Sequence, residues 1–176
     1  MNNNLIICIS GFLDKLDQNS GVYSLYQKLV IQNPHDIIIL LNWNTKIYKF
    51  IKFFNLGYNK ITIIGYSYGG NTAALLVKEM NRRGVSVDYL FMIDAVWRRW
   101  KRRPSITSLD HTKTIVLTDG VKELFSWRQY YGKILGHEII SGENTIRHDY
   151  VVNTNHTNID SDPAIHEIIL STCKTL

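Results

Sequence analysis

Residues 61–70 have the sequence Ile-Thr-Ile-Ile-Gly-Tyr-Ser-Tyr-Gly-Gly, which joins an apolar run to the pattern Gly-x-Ser-x-Gly around Ser67. A helical pattern follows, and its apolar face carries Ala73, Leu76, Val77 and Met80. A strand, a sharp turn with a serine, and a helix together form a nucleophile elbow. Because that turn crowds its neighbours, it needs small residues such as Gly65 and Gly69. The alternative is a glycine-rich turn whose serine only caps the helix, but the flanking pattern favours the elbow.

The length and composition indicate an ordinary globular chain. Its 176 residues suit one domain, residues 1–176, and its 45% apolar and 20% charged content is typical of soluble proteins. The first apolar run, Leu5–Ile9, is too short for a signal peptide or a membrane span, so a cytoplasmic protein is the default expectation. Cys8 and Cys173 both fall at apolar positions, where they are expected to be core residues without a disulfide or a metal site.

The first half of the chain alternates strand and helix patterns. Strands are predicted at residues 5–10, 36–41, 60–66 and 85–93. Between them lie a helix capped by Ser20 and stopped at Asn33-Pro34, a second helix over residues 47–54, and the elbow helix. The first helix presents an apolar stripe with helical spacing, made of Val22, Leu25, Tyr26, Leu29 and Val30.

The second half is less regular. Residues 113–118 and 121–127 compete as the next strand, residues 145–152 are predicted as the last strand, and Asp162-Pro163 is a good start for a final helix. Strands that are apolar on both faces and alternate with amphipathic helices indicate a three-layer α/β sandwich. We therefore predict a mostly parallel sheet of about five or six strands with helices on both faces.

A serine nucleophile needs a base, and the base needs an orienting acid. In parallel sheets such groups collect at the carboxyl ends of strands. Asp94 directly follows the strand after the elbow helix and is the preferred acid, although a turn or a helix cap would also explain an aspartate there. Asp119 is the rival, because it ends the possible strand 114–118, but Asp119-Gly120 can equally be a simple turn.

The best-placed base among the six histidines is His156, which lies in the loop between the last strand and the last helix. A loop there can reach the serine, whereas the alternative is an exposed histidine without a catalytic role. The other five occupy less suitable positions: His35 before a strand, His111 and His137 in polar loops, His148 within the last strand, and His166 within the last helix.

An oxyanion hole requires two backbone N–H groups that point at the developing charge. One is expected from Tyr68, the residue after the nucleophile. The other is expected from Phe12, since Gly11 allows the backbone after the first strand to approach closely.

These features together resemble the α/β-hydrolase superfamily over nearly the full chain. They occur in the order Gly11-Phe12, the Gly-x-Ser-x-Gly elbow, Asp94 and His156, and they most resemble small, lid-poor lipase-like, cutinase-like and thioesterase members. The resemblance implies a trimmed α/β-hydrolase fold and a Ser67/His156/Asp94 triad. It also implies hydrolysis of a small-molecule ester or thioester through an acyl-enzyme, with no metal or organic cofactor.

The resemblance leaves two questions open. Many members carry the acid one strand later, which favours Asp119 if residues 114–118 form a sheet strand, but the strand before Asp94 is more convincing. Acyl transfer to an acceptor other than water would use the same triad.

Residues 97–104, which we call the basic loop, have the sequence Trp-Arg-Arg-Trp-Lys-Arg-Arg-Pro, with five cations and two tryptophans. If Asp94 is catalytic, Trp97, Arg98 and Trp100 are candidates for binding an anionic substrate, such as an acidic lipid or a phosphate-bearing acyl carrier. The rival function is a non-catalytic module that binds an anionic membrane or, less expectedly, nucleic acid. The simplest alternative is a solvated loop whose tryptophans cover the core. The sequence does not specify the acyl chain, the leaving group, the oligomeric state, or a lid over residues 95–112 or 128–144.

Overall fold

The computed structural model describes residues 3–12, 14, 17, 19–46, 57–97, 114–117, 119–130 and 136–174. The strands are β1 (Leu5–Ile9), β2 (Ile37–Leu41), β3 (Ile61–Tyr66), β4 (Val87–Ile93), β5 (Ile115–Val116), β6 (Val121–Gln129), β7 (Ile139–Ile140) and β8 (Ile146–Val152). The α-helices are α1 (Gly21–Gln32), α2 (Tyr68–Arg82) and α3 (Pro163–Cys173), and a 3₁₀ turn spans Ile159–Ser161.

Six strands form one sheet in the order β2-β1-β3-β4-β6-β8, and every neighbouring pair is parallel. The predicted parallel α/β architecture is therefore confirmed. Of the two segments that competed as the next strand of the sheet, it is Val121–Gln129 that pairs with β4. Ile115–Val116 instead forms a separate two-stranded pair with β7, in which Ile115 is buried and Val116 is exposed.

Helices cover both faces of the sheet and create two hydrophobic layers. On one face, α2 buries the four apolar residues of its predicted stripe. On the other face, α1 and α3 pack together with the side chains of Phe91 and Trp127. Val30 was expected in the α1 stripe but is 40% exposed, because it lies about 100° around the helix from Leu29 and turns away from the sheet.

Capping groups mark the helix ends where the sequence predicted them. The Ser20 hydroxyl accepts from the Tyr23 N–H at 3.2 Å, and an Asp162 carboxyl oxygen accepts from the Ala164 N–H at 2.8 Å. The predicted helix over residues 47–54 lies outside the described residues. Among the described helices, none is long and apolar enough to cross a membrane.

Both cysteines are buried, as the apolar pattern predicted. Burial raises the pKa of each thiol, to about 12 for Cys173.

Candidate active site

Ser67 lies at the turn between β3 and α2 with φ 52° and ψ −124°. A non-glycine residue in such a conformation costs on the order of 1–3 kcal/mol, and such residues concentrate at functional sites. The serine backbone is fixed on both sides, since its N–H donates to the Ile93 carbonyl at 3.1 Å and its carbonyl accepts from the Val96 N–H at 2.9 Å. Its side chain makes no capping hydrogen bond to α2, so helix capping does not explain this serine.

The glycines around the serine have no room for a side chain. A Cβ at Gly65 would lie 2.8 Å from the Gly70 Cα, and one at Gly69 would lie 2.5 Å from the carbonyl oxygens of Ile9 and Ser10. The turn therefore requires glycine at both positions, which is the crowding that the sequence pattern indicated.

Two short contacts connect Ser67 to a histidine and an aspartate. The Ser67 Oγ lies 2.8 Å from the His156 Nε2, and the His156 Nδ1 lies 2.5 Å from the Asp94 Oδ2. The His156 side chain is 13% exposed and Asp94 is fully buried. Because a carboxylate accepts, the proton belongs on Nδ1, and Nε2 is then available to take the serine proton. His156 is thus within hydrogen-bond reach of both Ser67 and Asp94, the other two residues predicted as a triad.

The Asp94 carboxyl is surrounded by N–H donors. Its Oδ1 accepts from the backbone N–H groups of Gln129 at 3.2 Å and Gly136 at 2.9 Å, while its Oδ2 accepts from the Gln129 side-chain amide at 2.8 Å. Asp94 itself has φ 43°, and its N–H donates to the Trp127 carbonyl at 2.7 Å. These contacts hold the carboxyl at the carboxyl end of β4. Nothing in the sequence marked Gln129 or Gly136, because both reach Asp94 from a distant part of the chain.

Asp119 lies at the opposite ends of the strands from Ser67. The next residue, Gly120, accepts through its carbonyl from the Val87 N–H at 2.7 Å, and Val87 pairs with Val121 at the start of β4 and β6. Asp119 is therefore near the amino ends of the strands, whereas Ser67 is at a carboxyl end. The sequence alternative depended on residues 114–118 belonging to the main sheet, whereas Ile115–Val116 pairs with β7 outside that sheet.

Tyr66, the residue between Gly65 and Ser67, supports the histidine. Its hydroxyl donates to the His156 carbonyl at 2.5 Å, and its ring lies 5.4 Å from the imidazole. Burial, together with the carboxylates of Asp160, Asp14 and Asp94, raises the pKa of the Tyr66 hydroxyl, which keeps it protonated as a donor. The sequence gives no sign of this contact beyond the place of Tyr66 next to Ser67 in the Gly-x-Ser motif.

A second anchor holds the same loop. Asp160, four residues after His156, is buried, and its carboxyl accepts from the Gly21 N–H at 2.9 Å at the start of α1. The loop that carries the histidine is thus attached to the elbow at one point and to α1 at another.

The remaining described histidines make other contacts. His148 stacks on Phe125 at 4.3 Å, and His35 is exposed. His166 is buried, and its Nε2 lies 2.6 Å from the Asp160 carbonyl. His137 was expected in a polar loop but is buried, because its N–H donates to the Ala95 carbonyl at 2.7 Å and fixes the loop beside Asp94. His111 lies outside the described residues.

The two predicted oxyanion donors lie next to the serine. Tyr68 is the first residue of α2 and directly follows Ser67, and the N–H groups of a helix's first turn point out of its amino end. A Cβ at Gly11 would lie 3.1 Å from the Ser67 Cβ, so the backbone that leads to Phe12 passes beside the nucleophile.

The side chains of the same two residues form an aromatic wall with Trp43. Ring centroids are 5.4 Å apart for Phe12 and Trp43, 5.6 Å for Phe12 and Tyr68, and 6.0 Å for Trp43 and Tyr68. No sequence motif marks Trp43, although its place just after β2 puts it at the carboxyl end of the sheet.

Of the residues predicted to bind substrate, only Trp97 is described. Its half-buried side chain packs against the core on the α2 face, and the Trp97 backbone N–H donates to the His137 Nδ1 at 3.3 Å. Arg98, Trp100 and most of the basic loop lie outside the described residues, as do residues 98–112 and 131–135 of the two possible lids. Within the described ranges, no group of three or more His, Cys, Asp or Glu side chains could hold a metal ion.

The parallel strand order, the elbow after β3, and a histidine between the last strand and the last helix define an α/β-hydrolase fold. The thioesterase domain that cyclizes the lipopeptide antibiotic surfactin superposes with a TM-score of 0.55 at 12% identity, over 99% of this chain and 93% of that one. Mouse alpha/beta hydrolase domain-containing protein 10 gives 0.53 at 12% identity, over 96% and 87%. The Vlm2 thioesterase domain, solved with a bound dodecadepsipeptide, gives 0.50 at 9% identity, over 99% and 94%.

These identities are low, so the similarity shows a shared fold only. No family model and no curated protein sequence matches the chain.

Proposed function

We propose that this protein is a serine hydrolase that cleaves a carboxylic ester or thioester through an acyl-enzyme on Ser67. The observation that carries the proposal is the pair of contacts at 2.8 Å and 2.5 Å that link Ser67, His156 and Asp94. Ser67 is the nucleophile, His156 is the general base, and Asp94 orients the imidazole.

In the first half-reaction, the Ser67 Oγ attacks the acyl carbon while His156 Nε2 takes the hydroxyl proton. Asp94 stabilises the resulting imidazolium through Nδ1. The oxyanion is stabilised by the backbone N–H groups of Phe12 and Tyr68, and one such donor is typically worth about 3–4 kcal/mol of transition-state stabilisation. The intermediate then collapses, and the leaving alcohol or thiol takes the proton from Nε2.

In the second half-reaction, water attacks the acyl-enzyme. His156 removes a proton from the water and returns it to the Ser67 Oγ as the carboxylic acid leaves. The imidazole must stay in place through both steps, which is consistent with its attachment by Tyr66.

The aromatic wall of Phe12, Trp43 and Tyr68 supports an apolar acyl group in the substrate. Tyr68 is buried, whereas Phe12 and Trp43 are only partly buried, so their outer surfaces remain accessible. An acyl chain lying against these rings would be removed from water beside the reacting carbon. We expect kcat/KM to be higher for the p-nitrophenyl ester of butyrate than of acetate, and we expect Trp43→Ala to reduce that ratio.

Acyl transfer is a second candidate. The surfactin thioesterase domain performs a cyclization, in which the acyl acceptor is part of the substrate. The same triad in this chain would serve a nucleophile other than water. Product analysis with an added alcohol or amine separates the two reactions, because transfer yields a new ester or amide while hydrolysis yields only the acid.

The other alternative, a non-catalytic module that binds anionic membranes or nucleic acid through the basic loop, gains no support from the described residues. An anionic lipid or a phosphate-bearing acyl carrier as the source of the substrate remains a prediction from residues 97–104.

The proposed function is tested by covalent labelling and turnover. A fluorophosphonate probe should label the wild type and not Ser67→Ala, and His156→Ala should lose turnover of p-nitrophenyl butyrate. The exposed His35 provides the matched control, because His35→Ala removes the same side chain far from the serine and should leave turnover unchanged. Absence of labelling in folded wild-type protein, with a known hydrolase labelled in parallel, would refute the proposal.

A further inference from the structure

β8 forms one end of the six-stranded sheet and is paired only through β6 in the part of the chain that the structure describes. It is seven residues long, with the sequence Ile-Arg-His-Asp-Tyr-Val-Val, and five of these residues are exposed. A strand edge of this length exposes a row of backbone donors and acceptors that another strand can pair with.

The backbone direction at this edge follows from the contact with β6. The Val152 carbonyl accepts from the Tyr130 N–H at 3.2 Å, so Val152 directs its backbone groups towards β6. Because these directions alternate along a strand, the backbone groups of Arg147, Asp149 and Val151 point outward.

The side chains alternate in the same way. His148 and Tyr150 stack on Phe125 and Trp127, on the face covered by α1 and α3. Arg147 and Asp149 therefore share the opposite face. They form an exposed intrachain ion pair, with 3.0 Å between the Arg147 Nε and the Asp149 Oδ2.

This order of charges is self-complementary. Outward-pointing residues face one another in any two-fold antiparallel pairing of β8 with a second β8 that is centred on a residue. Only the pairings centred on residue 147, 148 or 149 place two of these charged residues directly opposite one another. Centring on Arg147 or on Asp149 places that charge opposite its own copy. Centring on His148 places each Arg147 opposite the partner's Asp149, and it places Ile146 opposite the partner's Tyr150.

We propose that two copies of this chain associate through antiparallel pairing of their β8 edges, with His148 nearest the two-fold axis. In that arrangement, Arg147 and Asp149 alternate in sign along each strand and across the interface, and every nearest charged neighbour is attractive. The exposed side chains of Ile146 and Tyr150, which are 60% and 36% exposed, meet across the strands on the other face.

Charges on an exposed edge usually discourage pairing. Here the order of Arg147 and Asp149 disfavours the registers that place like charges opposite one another, and it matches the β8 edge of a second copy. A second copy of the chain is therefore a better partner than an unrelated strand. The sheet would then run without interruption through both copies.

The experiment measures mass in solution by sedimentation velocity over a concentration series. The wild type should be a dimer. Arg147→Asp and Asp149→Arg each place like charges opposite one another twice, and each should raise the dimer dissociation constant about ten- to a hundredfold. The double swap, which carries both changes, restores opposite charges and should restore the dimer.

Mixing provides the decisive test. Each single variant alone is expected to dimerise more weakly than the wild type, but mixed in equal amounts they place two Asp residues opposite two Arg residues. They should form a heterodimer, which native mass spectrometry identifies by its mass. Glu79→Arg, on the exposed part of α2, is the control for charge reversal away from β8 and should leave the dimer intact.

A wild type that stays monomeric up to its solubility limit would overturn the proposal. So would single variants that dimerise as well as the wild type, or a mixture that contains no heterodimer. Thermal unfolding of each variant confirms that it is folded, since exposed ion pairs contribute little to stability.

Discussion

Asp94→Asn tests the division of roles most sharply, because the structure specifies what the amide would face. Four N–H groups point at the two carboxyl oxygens of Asp94, from His156, Gly136 and twice from Gln129. An asparagine has one acceptor oxygen and one donating NH₂ group, so two of the four donors meet another donor.

The less costly orientation directs the NH₂ group at His156 and the Gln129 side chain, because both can adapt. The Gln129 amide can turn its oxygen towards the new donor, whereas the backbone N–H groups of Gln129 and Gly136 cannot change. His156 then has to accept at Nδ1 and carries its proton on Nε2, where it faces Ser67 and cannot take the serine proton.

A wrong tautomer of this kind lowers kcat by about 10⁴-fold in a serine protease with the same three groups. That loss corresponds to a rise of about 5.5 kcal/mol in the activation barrier. We expect a comparable loss here, measured as kcat for p-nitrophenyl butyrate. Thermal unfolding should show a folded variant.

Asp119→Asn is the matched control, because Asp119 lies at the amino ends of the strands and should be dispensable. If Asp94→Asn keeps kcat within about tenfold of the wild type, the assignment of the acid is wrong. Loss of activity in Asp119→Asn alone would transfer the role to that residue.

Three further outcomes are expected. Tyr66→Phe removes one neutral hydrogen bond to the His156 carbonyl, which is worth about 1 kcal/mol. We therefore expect kcat to fall by up to about tenfold with KM nearly unchanged. An unchanged kcat would contradict a positioning role for Tyr66. Gly136→Ala puts a methyl group against the Asp94 Oδ1 and should lower kcat. Gly142→Ala, which puts a methyl group against the Oδ1 of the control residue Asp119, should leave kcat unchanged; equal losses in both would point to general misfolding. Burial raises the pKa of Asp160 to about 6, so the folded state binds the carboxyl proton more tightly than the unfolded chain, and the free energy of unfolding falls as pH rises from about 4 to 6. In urea unfolding, Asp160→Asn should show a smaller fall over this pH range than the wild type. The same pH dependence in both proteins would contradict the shifted pKa.

Local patterns predicted most of the architecture. The apolar strands, the helix caps at Ser20 and Asp162, and the glycines of the elbow depend on residues close together in the sequence. Such features specify strands, helix ends and the position of Ser67 without reference to the rest of the chain. The order of the candidate residues along the chain also left two candidates for the acid, Asp94 and Asp119, and made His156 the preferred base.

Only the tertiary structure separates the positions of the two aspartates. Both follow an apolar run, but Asp94 is at a carboxyl end of the main sheet and Asp119 is at the amino ends, because residues 115–116 pair outside that sheet. The contacts of Gln129, Gly136 and Tyr66 also depend on how distant segments meet. A sequence pattern records which face of a strand is apolar, but neighbouring strands and their ends are decided by long-range packing, which no local pattern contains.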